Sequence, residues 1–342
     1  MLNFTPFKPP LKPFSGSADE ALICGYVFAD GVAEPLSALQ QALDVLQAGG
    51  SGFVWLHLGL GNAQINDWLQ SHLSLPETFY DNLQEHGDAT RIEREEEALI
   101  ATINDVLFDF DYDADDLATL RMVLLQNLVV TARRKPLRCT DRLRTDIRNG
   151  YIPETPIQLL AHLLDDQAEE LSDIVQSLVR QTNSIEDRIL ANRIGRSRAA
   201  LGNMRRLLVR LRRMLAPEPN ALFRLLSSPP DWVSRDDVQE LREATEEFAS
   251  VVQDITSLNE RIKMLQEEIT AIINEENNRS LYVLTIVTVL ALPFNIVAGL
   301  FGMNVGGIPL ADAGDGFGLI VLALLGFVAV AWWWLWQRGR RE

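Results

Sequence analysis

Thr285, Thr288 and Asn295 stand in an uncharged, largely apolar run from Leu281 to Asn304, LYVLTIVTVLALPFNIVAGLFGMN. Their hydroxyl and amide oxygens are neutral acceptors, the kind that take up a hard cation without fixing it in place. At 100° per residue, Leu281, Leu284, Thr285, Thr288, Leu292, Asn295 and Gly299 fall within one helical arc of about 100°. Thr and Asn in membrane helices often bond only their own backbone or a neighbouring helix. A stripe of three on one face favours the lining of a path. Leu281, Leu284 and Leu292 on the same face could close such a path by dewetting. Two helices per chain cannot enclose it, so several copies around an axis are required.

The elements that must carry this face are membrane spans. Leu281 to Phe301 and Phe317 to Trp336 each hold about 20 residues without a charge, enough to cross a ~30 Å hydrocarbon core. Arg338, Arg340 and Arg341 follow the second run, whereas the connecting GMNVGGIPLADAGDG has no Lys or Arg and carries Asp312 and Asp315. The positive-inside rule then predicts a multi-pass membrane protein with both termini in the cytoplasm. Asp312 and Asp315 would face outside and attract cations. Trp332, Trp333, Trp334 and Trp336 form an interfacial belt. Pro293 removes one backbone donor, and Ala298 with Gly302 permits close backbone approach.

The preceding residues read as a soluble apparatus. The formal charge of −16 excludes a general nucleic-acid binder, whose surface must neutralise phosphates. Cys24 and Cys139 offer neither a disulfide framework nor a zinc motif. Ala21 to Val27, a helix over Leu36 to Gln47, and Phe53 to Leu58 predict a βαβ-like opening. Helices at Asn62 to His72 and Pro76 to Glu85 follow, then strands at Arg91 to Arg94, Ala98 to Phe110 and Leu117 to Thr131. The acidic turn from Asp111 to Asp116 lacks the glycine and terminal glutamate of an EF-hand loop, so it reads as a solvated tip. Helices at Ile157 to Asn192 and Arg196 to Leu226 come next, and the arginines Arg205, Arg206, Arg210, Arg212 and Arg213 are expected to pair with acidic helices alongside.

From Leu241, every seventh residue is apolar through Phe248, Ile255, Ile262 and Ile269; a second series runs Ala244, Val251, Leu258, Leu265 and Ile272. These are a and d positions, and they predict a long stalk helix with a packed seam. The chain thus divides into a leader (1–18), an α/β domain (19–135), a helical pair (136–230), the stalk (231–280), the first span (281–303), an external loop (304–316), the second span (317–337) and a basic tail (338–342). The fold class is α+β, a mixed sheet with helices, joined to a long stalk and two transmembrane helices.

No GxxxxGK[ST] loop marks a nucleotide-driven pump, and no nucleophile or metal-ligand constellation marks an enzyme. His57, His72, His86 and His162 are scattered and read as structural or exposed. No cofactor is called for beyond a transported ion.

Gly302-Met303-Asn304, at the outer end of the penultimate span, resembles the signature of the CorA superfamily of divalent-cation transporters. Val305-Gly306-Gly307-Ile308-Pro309 is similar to its ZntB zinc-transporter branch. The resemblance implies a homopentameric funnel, with the first span lining the pore and the second packed outside. It implies that Asn304 presents a ring of amide oxygens to a hydrated cation, that Asn278 lies at the inner mouth, and that the cargo is Zn²⁺. The magnesium branch carries an acid close behind this signature. Here the nearest acids are Asp312 and Asp315. A Mg²⁺, Co²⁺ or Ni²⁺ channel of the same superfamily, and a membrane-anchored coiled-coil scaffold or signalling protein, are the alternatives.

Overall fold

The computed structural model describes residues 18–62, 64–84, 90–113, 116–191, 193, 195, 197–303 and 315–338. They form two compact units, Met1–Gln266 and Glu267–Glu342.

The first unit is built on seven strands: β1 (Leu22–Ala29), β2 (Val32–Leu36), β3 (Phe53–Gly59), β4 (Arg91–Glu95), β5 (Ala98–Val106), β6 (Leu117–Leu125) and β7 (Leu128–Arg133). Their order across the sheet is β2-β1-β3-β7-β6-β5-β4, with β3 and β7 parallel and all other neighbours antiparallel. The sheet is therefore mixed, as anticipated. Helices α1 (Leu39–Ala48), α2 (Gln64–His72) and α3 (Glu77–Gln84) contribute apolar side chains to one core with Val54, Leu56 and Leu58 of β3. On the other face Phe53 and Trp55 join a second core with α4 (Arg138–Arg148), α5 (Pro156–Leu190) and α7 (Pro217–Ser227). The alternation along β3 follows from the pleat, which sends successive side chains to opposite faces.

Several sequence expectations are corrected. The opening is not βαβ. Asp30 and Gly31 adopt positive φ, 51° and 73°, which makes the tight hairpin that reverses β1 into β2 before α1 begins. As a result β1 pairs antiparallel with β3. Leu117 to Thr131 is two strands, β6 and β7, joined by Gln126-Asn127. Arg196 to Leu226 is also two elements, α6 (Ser197–Leu215) and α7, because Pro217 starts a new helix where its missing N–H is harmless. Helix α4 is a further, separate helix in the region expected to hold a helical pair. Its buried Cys139, Leu143 and Ile147 repeat every four residues beneath a heavily charged exterior.

The expected pairing of the α6 arginines with acids is not what Arg205 and Arg206 show. Arg205 donates to Gln266 Oε1 at 2.8 Å, and Arg206 donates to Asn203 Oδ1 at 2.6 Å. His57 is fully buried, with Nδ1 2.8 Å from Thr131 Oγ1, and burial holds its pKa well below the ordinary value. His72 stacks on Trp68. His86 lies outside the described residues. Asp116 caps its own turn by accepting from the Asp111 backbone N–H at 2.9 Å, as a hairpin tip does.

Helix α8 (Arg235–Phe301) is a single element of 67 residues. Within the first unit its seam residues Leu241, Ala244, Phe248, Val251, Ile255, Leu258, Ile262 and Leu265 are all buried, so the heptad reading holds there. The second unit contains the remainder of α8 and helix α9 (Gly316–Arg338).

Candidate functional site

Both α8 and α9 are long and apolar enough to cross a membrane, and their apolar stretches are almost wholly exposed. A soluble protein does not leave two such surfaces in water, so hydrocarbon or neighbouring copies must cover them.

Within α8 the exposure is not uniform. Ile286, Leu290, Pro293 and Val297 are half-buried, while the residues between them are exposed. Their spacing of four, three and four marks one helical face. On α9, Ile320, Leu324, Val328 and Ala331 are likewise half-buried. At 100° per residue, the covered face of α8 lies about 150° from the arc that holds Thr285, Thr288 and Asn295. The oxygen-bearing face therefore points away from whatever shields the other side.

That face is open from end to end. Leu281, Leu284 and Leu292 are 59%, 61% and 56% exposed, and Asn278, Thr285, Thr288, Asn295 and Gly299 are exposed with them. From Leu281 to Gly299 the stripe rises about 27 Å at 1.5 Å per residue, close to the thickness of a hydrocarbon core. A Cβ on Gly299 would meet nothing within 4 Å, so this glycine is not demanded by packing within the chain.

The threonine hydroxyls have defined partners. Thr285 Oγ1 donates to the Leu281 carbonyl at 2.7 Å and Thr288 Oγ1 to the Leu284 carbonyl at 2.8 Å. A carbonyl cannot donate, so each hydroxyl hydrogen is directed back into the helix and only oxygen lone pairs remain to accept. Sequence alone places these residues on one face; the direction of the hydroxyl is added by the structure.

Gly302 has a steric role that its three-residue motif did not reveal. Its backbone N–H donates to the Ala298 carbonyl at 2.9 Å, and a Cβ built on it would sit 2.9 Å from that same oxygen. The close atom is a backbone oxygen, which cannot swing aside as a flexible side chain can. Met303 follows, 53% exposed. Asp315 is exposed and its carbonyl accepts from Leu319 N–H at 3.2 Å, starting α9. Asn304 and Asp312 lie outside the described residues.

Residues 50–341 match the family model described as CorA-like Mg2+ transporter protein. The chain belongs to the CorA-like family. Among CorA-like relatives, it is 30% identical over 335 residues to the divalent cation transporter CmaX of Pseudomonas aeruginosa, covering 96% of this chain and 99% of that one. It is 28% identical over 280 residues to the zinc transport protein ZntB of Yersinia enterocolitica, covering 82% of this chain and 85% of the relative. The solved structure of full-length CmaX superposes with a TM-score of 0.78 at 30% identity, covering 96% of this chain and all of that one. CorA-like membership thus places the chain among membrane transporters, in the ZntB-type branch, and not in an enzyme class. The mixed-sheet unit, long helix and two candidate spans are the fold its sequence anticipated.

Proposed function

We propose that this chain assembles as a homopentamer in a bacterial-type inner membrane and moves divalent metal cations, Zn²⁺ foremost, along an axis lined by α8. The observation that carries the reading is the exposed stripe of acceptor oxygens on the α8 face opposite the covered one. Family membership and similarity to a zinc transport protein and a divalent cation transporter supply the cargo class. The first unit and both termini lie in the cytoplasm on this reading, and the Gly302-Met303-Asn304 motif faces outward.

A cation arriving at the outer mouth meets the Asn304 amides, with Asp312 and Asp315 raising its local concentration. Neutral amide oxygens bind a hydrated ion weakly enough to release it. It then passes Gly299 and meets Asn295, Thr288 and Thr285, whose side-chain oxygens accept hydrogen bonds from its water shell, and leaves past Asn278. Leu292, Leu284 and Leu281 are the apolar rings that close the path when dry. A membrane potential of 100 mV supplies ~4.6 kcal/mol to a divalent ion, so no chemical fuel is required.

The test is metal flux into liposomes holding the purified chain. Zn²⁺ should enter, Asn304→Ala should slow entry at least tenfold while leaving assembly intact, and Mg²⁺ should compete poorly. A folded pentamer without flux of any divalent ion would refute transport. Equal flux of Mg²⁺ would move the chain to the magnesium type that the family description names.

A further inference from the structure

A cluster of side chains of metal-ligating types lies in the first unit, far in sequence from the membrane helices. Asp146 occupies the last turn of α4, and His162 and Asp166 stand one turn apart on α5. Between the two helices Tyr151 stacks on the His162 imidazole with ring centroids 4.0 Å apart and planes 18° from parallel. The Tyr151 N–H donates to the Asp146 carbonyl at 2.9 Å, which fixes the connecting segment. His162 Nε2 is thereby held 3.3 Å from Asp146 Oδ2 and 3.8 Å from Asp166 Oδ2. The three donor atoms all lie within 4.8 Å of one another.

Metal bonds of ~2.0–2.1 Å in a tetrahedral shell place neighbouring donors ~3.3–3.4 Å apart. The two distances from Nε2 are close to that edge, and modest carboxylate rotation would bring in the third. Asp166 makes the strongest case for a missing ligand. It is 4% exposed, its Oδ1 accepts from Arg142 Nε at 2.9 Å, and its Oδ2 is buried without a hydrogen bond. A buried carboxylate oxygen left without a partner is costly. Arg142 also pairs with Glu169, so its charge is shared.

The cleft in front of this corner, about 710 Å³, adds Asp165 and Glu247 to the acids already named. Such crowding of carboxylates around one imidazole draws cations.

We propose that Asp146, His162 and Asp166 bind a divalent transition-metal cation, with the fourth position open to water from the cleft. One nitrogen and two carboxylate oxygens suit Zn²⁺ or Co²⁺; Mg²⁺ and Ca²⁺ take oxygen-only shells. The site rests on the first unit alone, so it stands or falls independently of transport.

The test uses the full chain, purified in detergent and stripped of metal. Co²⁺ is the optical probe, and equilibrium dialysis counts Zn²⁺. Co²⁺ should give visible d–d bands of a nitrogen-ligated, low-coordinate ion, displaced by one Zn²⁺ per chain. Asp166→Asn and His162→Gln should each weaken Zn²⁺ binding at least tenfold, and Asn304→Ala should leave these bands unchanged. Should either of those fail to fold, Asp146→Asn, at a half-exposed helix end, gives the same reading. Absence of the d–d bands, or bands and Zn²⁺ count unchanged in a folded variant of this trio, would overturn the site and leave an ordinary ion-pair cluster.

Discussion

Replacing Glu218 by Gln should abolish a pH dependence of stability that the fold builds into its first unit. Glu218 is fully buried. Its Oε1 accepts from the Asn104 backbone N–H at 2.8 Å and from Thr90 Oγ1 at 3.3 Å, and the Gln167 amide also bears on it. Burial pushes its carboxyl from 4.5 up to about 8, against the pull of those hydrogen bonds. At neutral pH the folded chain therefore holds a proton that the unfolded chain has released. Stability from this group is complete below about 4.5 and is lost as pH rises through about 8. Within that window each pH unit costs up to about 1.4 kcal/mol, so the whole crossing costs on the order of 5 kcal/mol. Gln keeps the accepting oxygen and replaces the acidic O–H with an amide that does not titrate. Thermal unfolding in detergent, followed between pH 5.5 and 8, should show a falling Tm in the parent and a much flatter profile in Glu218→Gln. Other acids titrate in the same range, so the difference between the two profiles is the measured quantity. Parallel profiles would refute the protonated Glu218.

Three further outcomes follow from local geometry. Gly302→Ala forces a Cβ against the Ala298 carbonyl; overpacking of this kind costs about 1–3 kcal/mol, which should appear as a lower melting temperature of the assembled protein and reduced flux. Thr285→Val with Thr288→Val removes two acceptors worth ~1 kcal/mol each with little change in shape, and should slow Zn²⁺ entry roughly thirtyfold while the oligomer, sized by light scattering, persists. Burial raises Cys24 to about 11 and holds Cys139 well above its ordinary value, so a thiolate-seeking reagent at pH 7.5 should label neither in the native chain and both after denaturation, as mass spectrometry would show.

What could be read in advance depended on periodicity. Helix α8 was legible because its seam repeats every seven residues with nothing to break it, and the spans were legible because hydrocarbon demands uncharged length. The central strands were harder. In β5, β6 and β7 nearly every residue is buried, so no alternation separates strand from turn, and Gln126-Asn127 carries no glycine or proline to mark the hairpin. Strand β2 contains Pro35 and is largely exposed, as only a sheet edge permits, and was passed over. The Asp146, His162 and Asp166 corner joins two helices across a loop. Only the four-residue step from His162 to Asp166 was visible in the sequence, and one such step is common on any helix.

The two hydroxyl bonds on α8 have a consequence for sign. Because Thr285 and Thr288 spend their hydrogens on their own helix, a water bound to either of these oxygens must offer a hydrogen to it and turn its own oxygen outward. In the assembly proposed above, where copies of α8 surround an axis, a file of such waters would present negative ends to the centre. Such a wall would favour cations over anions with no formal charge of its own, and the discrimination would survive at ionic strengths that screen a ring of carboxylates.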